Sequence, residues 1–105
     1  MTSAVGSVAA MTSEHTVTLN VERNRFEIRT EDGRLAGFAE FVPGDGVRDF
    51  THTVVRDEFE GQGIGGRLAR GALDQTRADG YKAVATCAFI QRWIDKHPDY
   101  QDLLA

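Results

Sequence analysis

Four of the six residues from Gly61 to Gly66 are glycine, and the hydrophobic period of the chain changes across them. Before this segment the period is two. Val17, Leu19 and Val21 alternate with Thr16, Thr18 and Asn20 until Asn24 breaks the run, and Phe26 and Ile28 alternate with charged neighbours. Glu31-Asp32-Gly33 signals a turn, Leu35 to Val42 reads as a third strand, and Pro43-Gly44-Asp45-Gly46 closes it. Val47 to Val55 reads as a fourth strand, with Phe50, His52 and Val54 on one face and Thr51, Thr53 and Val55 on the other. After the glycines the period is helical. Ile64, Leu68 and Ala72 lie four apart, Ala69 and Leu73 widen the stripe, and Gly80 is a stop. Lys82 to Thr86 reads as a short fifth strand. A second helix carries Phe89, Ile90, Trp93, Ile94 and His97, and Pro98 ends it. The order ββββαβα predicts an α+β domain with a mainly antiparallel sheet. A helix joins the fourth and fifth strands, so a parallel, right-handed crossover between them is the economical topology.

A chain of 105 residues has room for one domain. Met1 to Glu14 is small and polar and lacks the basic start and apolar centre of a signal peptide, so residues 1–14 are expected to be a disordered tail and residues 15–105 the domain. The net charge is −4, with six basic and eight acidic side chains in residues 1–56 and the same in residues 57–105. Without a basic stripe, nucleic-acid binding is disfavoured. No apolar run approaches the length of a membrane span. The single cysteine, Cys87, has no internal disulfide partner, which points to a reducing, cytoplasmic setting. His15, His97 and Cys87 do not have metal-ligand spacing, so no metal is expected.

The glycine segment carries the chemistry. Lying between a strand and a helix, it can turn its backbone N–H groups onto an anion at the helix N-terminus, and a phosphate ester of a cofactor fits that role. Glycine permits close approach and positive φ. Gly61, Gly63 and Gly66 satisfy G-x-G-x-x-G, but the following strand ends at Thr86-Cys87 without the carboxylate a dinucleotide site requires, and four antiparallel strands precede the loop. A P-loop is excluded because no Gly-Lys-Ser/Thr follows.

Glu60-Gly61-Gln62-Gly63-Ile64-Gly65 resembles the pyrophosphate-binding signature Q/R-x-x-G-x-G/A of the GNAT acetyltransferases. With His52-Thr53-Val54-Val55 before the loop, Thr86-Cys87-Ala88-Phe89-Ile90 after it, and Trp93-Ile94 through His97-Pro98-Asp99-Tyr100 at the end, residues 15–103 resemble the compact, single-domain GNAT-related acetyltransferases. The resemblance implies acetyl-CoA as donor and an amine, on a small molecule or a protein, as acceptor. It implies a pantetheine arm between splayed fourth and fifth strands, paired with the backbone near Val54 and Val55. Gln62, Gly63, Ile64, Gly65 and Gly66 would hold the pyrophosphate, with Arg67 beside them. One position departs from the signature: Glu60 stands where Gln or Arg is usual, and is expected to face solvent because a carboxylate facing a pyrophosphate is repulsive. Arg56, Arg67 and Arg70 are the cations near enough to offset it.

Acyl transfer needs a neutral nucleophile, stabilisation of the oxyanion and a proton for the departing thiolate. Cys87 and His52 are the candidate catalytic residues. Cys87 precedes the second helix, whose N–H groups lower a thiol pKa. One route passes through an acetyl-cysteine. The other is direct transfer, with Cys87 protonating the CoA thiolate and His52 deprotonating the amine. Direct transfer is the expectation, and structural roles for both residues stay open. Glu40 is a second candidate base, read first as a solvated strand carboxylate, and Tyr100 reads first as a packing anchor. Without the N-terminal helices that wall the acceptor site in larger GNAT enzymes, the groove is expected to be shallow or completed by a partner. The competing function is a CoA-binding or interaction module that has the fold but little catalysis.

Overall fold

The computed structural model describes residues 15–105; the expected tail, residues 1–14, lies outside the described residues. Five strands form one sheet in chain order: β1 (Thr16–Asn20), β2 (Arg25–Arg29), β3 (Leu35–Gly44), β4 (Val47–Val55) and β5 (Lys82–Ala85). β1 to β4 are an antiparallel meander, and β5 lies parallel to β4. Helix α1 (Ile64–Ala78) makes the crossover, α2 (Ala88–Asp95) follows β5, and a 3-10 segment (Pro98–Leu103) closes the chain. Leu104 then bridges Ala83 in parallel, on the outer edge of β5. The expected order ββββαβα and the parallel step are both present. β3 runs two residues further than expected, leaving Asp45 and a left-handed Gly46 (φ 72°) as a two-residue hairpin loop.

Both helices cover one face of the sheet. Ile64, Leu68, Ala69, Ala72 and Leu73 of α1 are buried against Phe26, Ile28, Ala39, Phe41 and Phe50 of the strands, and Ile90, Trp93 and Ile94 of α2 extend the same core. Phe26, Phe41 and Phe50 meet with ring centroids 5.6–6.1 Å apart. Arg48 enters this apolar layer because its charge is met. Its guanidinium lies over the Phe26, Phe41 and Tyr81 rings and donates to Asp79 (2.9 Å) and Thr76 (3.3 Å). Tyr100 is the packing anchor expected. Its hydroxyl donates to Asp74 (2.7 Å) and accepts from Arg70 (3.1 Å), and burial together with Asp74 pushes its pKa up.

Among the described residues, the other face of the sheet carries no helix and is covered by its own side chains. Glu27 takes hydrogen bonds from Arg25 (2.8 Å), Arg29 (2.9 Å) and Asn20 (3.0 Å), and Arg25 stacks on Phe38. Burial raises the Glu27 carboxyl, but these donors outweigh it and hold the pKa below the usual carboxylate range.

Candidate active site

The glycines of the turn divide by role. Gly61 (φ 81°) and Gly63 (φ 74°) are left-handed, a conformation that strains any residue with a Cβ. Gly63 is the N-cap of α1, and among the described residues no side chain caps this helix. The amides of Gly63, Ile64, Gly65 and Gly66 are therefore left without intrahelical acceptors, all at the positive end of the helix dipole. Gly65 is small for a different reason: a Cβ there would sit 2.9 Å from the Phe89 ring of α2. Gln62 and Arg67 are exposed beside the turn, and Arg67 lies 3.5 Å from His15. Glu60 and Arg56 are exposed as well. Arg70 is directed elsewhere, onto the Tyr100 hydroxyl and over the Trp93 ring.

Beyond the turn the sheet opens. β5 pairs with β4 only from Val47 to Phe50, and the Cys87 N–H, donating to the Phe50 carbonyl (2.8 Å), is the last link between them. From there β4 continues to Val55 with β3 along one edge only. A β-bulge marks the start of this open half. Phe50 pairs with Phe41 and His52 with Glu40, which leaves Thr51 as the extra residue. One inserted residue reverses the alternation of everything after it. Phe50 points into the core, whereas His52 and Val54 share the helix-free face with Glu40 and Phe38. The single face expected for Phe50, His52 and Val54 is thus broken at Thr51.

The bulge also reverses the backbone edges. The Val54 carbonyl faces β3, 2.5 Å from where a Cβ on Gly37 would lie, and the Arg56 N–H donates to Ala36. Successive residues of a strand turn their N–H and C=O groups to opposite edges, so Thr53 and Val55 present theirs to the open side. Of the two valines singled out for backbone pairing, Val55 faces the gap and Val54 is turned to β3. Thr53 joins Val55.

Cys87 stands at the closed end of the gap, half-buried at the N-cap of α2. Its sulfur is 3.4 Å from Thr53 Oγ1. Burial pushes the thiol pKa up, but hydrogen bonding from the Thr53 hydroxyl and from the amides of Ile90, Phe89 and Thr53 outweighs it, and the net direction is down. His52 is 73% exposed in its side chain, with Nδ1 3.2 Å from Thr51 Oγ1 and 3.8 Å from Glu40 Oε1. The structure therefore couples Cys87 to Thr53 and His52 to Glu40. Thr53 was not visible as a site residue in the sequence, where it is one polar position in an alternating strand. Among the described residues, no three His, Cys, Asp or Glu side chains gather as a metal site.

The family model for the GCN5-related N-acetyl-transferases matches residues 25–103, from β2 through the closing 3-10 segment. The chain belongs to this family. It is 35% identical to protein NATD1 of Homo sapiens over 78 residues, 72% of this chain and 68% of the human protein. It is 34% identical to NATD1 of Mus musculus over 79 residues, 73% of this chain and 71% of that one. Among solved structures, a GCN5-like protein from Staphylococcus aureus superposes with a TM-score of 0.64 at 25% identity, covering 86% of this chain and 87% of that protein. A GNAT family acetyltransferase from Brucella melitensis, solved in complex with acetyl-CoA, superposes with a TM-score of 0.52 at 23% identity, covering 85% of this chain and 58% of its own. The GNAT fold expected from the glycine turn and the Cys87 and His52 segments is the fold observed.

Proposed function

We propose that this GNAT domain transfers an acetyl group from acetyl-CoA to an amine acceptor by direct attack. One observation carries the reading. An open strand edge runs between an uncapped helix N-terminus and a cysteine sulfur, so anion donors, an unpaired backbone edge and a polarised thiol line one path. Acetyl-CoA supplies the activated acyl group and a thiol leaving group. The amides of Gly63, Ile64, Gly65 and Gly66, with Gln62 and Arg67 at the rim, bind the pyrophosphate. The Thr53 carbonyl and the backbone edge of Val55 pair with the pantetheine amides as an added strand would, the Thr53 amide being engaged by the Cys87 sulfur. His52 takes the proton of the attacking amine, and Cys87 gives its proton to the CoA sulfur as the carbon–sulfur bond breaks and the carbon–nitrogen bond forms. The lowered pKa of Cys87 suits a proton donor to a thiolate.

Turnover by the purified protein with a panel of polyamines, amino acids and peptides tests the reaction. Acetyl-CoA is expected to raise the melting temperature, and Gly63→Val to abolish that shift. Cys87→Ala is expected to lower turnover by about 10²–10⁴-fold, the range for removing a general acid or base. Incubation with acetyl-CoA alone should leave the protein mass unchanged. A stoichiometric acetyl-Cys87 that passes its acetyl group to an amine at the steady-state rate would replace direct transfer with the covalent route. A thermal shift without turnover on any acceptor would assign the chain to the CoA-binding module.

A further inference from the structure

We infer that Glu40 is the positioning residue of His52, holding the imidazole with its proton on Nδ1 so that Nε2 faces the incoming amine. This deepens the proposed function and rests on its reading of His52 as the base. The geometry begins with register. Glu40 and His52 are directly opposite on β3 and β4, and residues so placed in an antiparallel pair share a face. They meet only because Thr51 bulges; without the extra residue, His52 would point into the core with Phe50.

Two oxygens lie on the Nδ1 side. Thr51 Oγ1 lies 3.5 Å from the Glu40 carbonyl oxygen and 3.2 Å from His52 Nδ1, and its hydroxyl can serve as donor or acceptor there. A carboxylate can only accept, so an Nδ1 directed at Glu40 must carry the proton. Glu40 Oε1, 3.8 Å from the same nitrogen, adds a carboxylate on that side. The gap is longer than a hydrogen bond, and a small rotation of two exposed side chains closes it, as catalytic contacts tighten when substrate binds.

The charges around the pair leave Glu40 to His52. Arg25 is opposite Glu40 on β2 and is the next residue in the row, but its guanidinium is bound to Glu27 (2.8 Å) and stacked 4.2 Å over Phe38. Two further titratable residues stand near in the fold: Asp49, earlier on β4 across the bulge, and Cys87, beyond the open edge and coupled to Thr53. Neither helix packs on this face.

The test is Glu40→Gln in the full chain, read in two ways. By NMR of the free protein, wild-type His52 should be the Nδ1–H tautomer when neutral. In Glu40→Gln the preference for that tautomer should weaken, because the carboxylate acceptor on the Nδ1 side is gone. In turnover, kcat/KM should fall about three- to tenfold with KM for acetyl-CoA unchanged. Glu40→Asp should recover part of both. An unchanged His52 tautomer in Glu40→Gln would overturn the inference whatever the activity does. Full turnover in His52→Ala would instead overturn the base assignment and, with it, the catalytic value of the contact, while the NMR result would still report on the contact itself.

Discussion

The two halves of β4 differ in edge pairing and in exposure. From Val47 to Phe50 the strand is closed, paired on both edges, with Arg48 and Phe50 buried against α1 and the aromatic cluster. From Thr51 to Val55 it is open along one edge, and His52 and Val54 stand exposed. The first half holds the sheet together, and the second leaves backbone groups and titratable side chains available. A single inserted residue separates the two. Stability and chemistry are thus assigned to successive segments of one strand, and substitutions on either side of Thr51 should report on different properties.

Phe50→Ala should have the largest effect. It empties the centre of the aromatic cluster and should cost about 3–5 kcal/mol by chemical denaturation. A loss below about 1 kcal/mol would remove the contrast between the halves. Arg48→Met, also in the closed half, should lower the melting temperature at pH 7 and change its pH dependence. The hydrogen bond from Arg48 holds the Asp79 carboxyl below its ordinary pKa, so its contribution is complete above the unfolded value and lost as pH falls through the folded one. The difference between wild type and Arg48→Met should therefore narrow below about pH 4, near the unfolded Asp pKa. A difference independent of pH would assign the effect to packing alone.

Thr53→Val, in the open half, should change stability little and reactivity more. Losing the hydroxyl should raise the Cys87 pKa and slow iodoacetamide alkylation at pH 7, with Thr53→Ser restoring the rate. Unaltered alkylation would mean the helix and backbone amides alone set the thiol. Val54→Thr should be the mildest, within about 0.5 kcal/mol of wild type, as befits an exposed strand position. A larger loss would show that the helix-free face is more tightly organised than its exposure suggests.

The elements themselves were legible because period is a local property. Val17 and Leu19, Phe26 and Ile28, and Ile64, Leu68 and Ala72 each declare their own face, and all are packed as their spacing requires. The glycine turn was legible because four glycines before a helical stripe have few structural uses. The bulge was not. Phe50, His52 and Val54 read as one uninterrupted alternation, and only pairing with β3 shows that Thr51 is counted out. Thr53, whose edge and hydroxyl both depend on that bulge, was hidden for the same reason. Gly65 was read as room for phosphate when its neighbour is Phe89, because a contact between two helices is invisible to spacing within one.

The sheet order β1-β2-β3-β4-β5 also sets the sequence in which the protein is assembled. Each strand of the meander meets the one just before it, so three hairpins close over short loops at small entropic cost. β5 must wait for residues 56–81 to traverse the sheet, through a 3-10 turn at Asp57–Phe59 and then α1, before it finds β4. The boundary between β4 and β5 is therefore the one sheet contact that cannot form locally, and it joins at Phe50 and Cys87, beside the open edge. Amide exchange at β5 and the Cys87 link should outpace that of β2 and β3, so the polarised sulfur sits at the seam made last and loosened first.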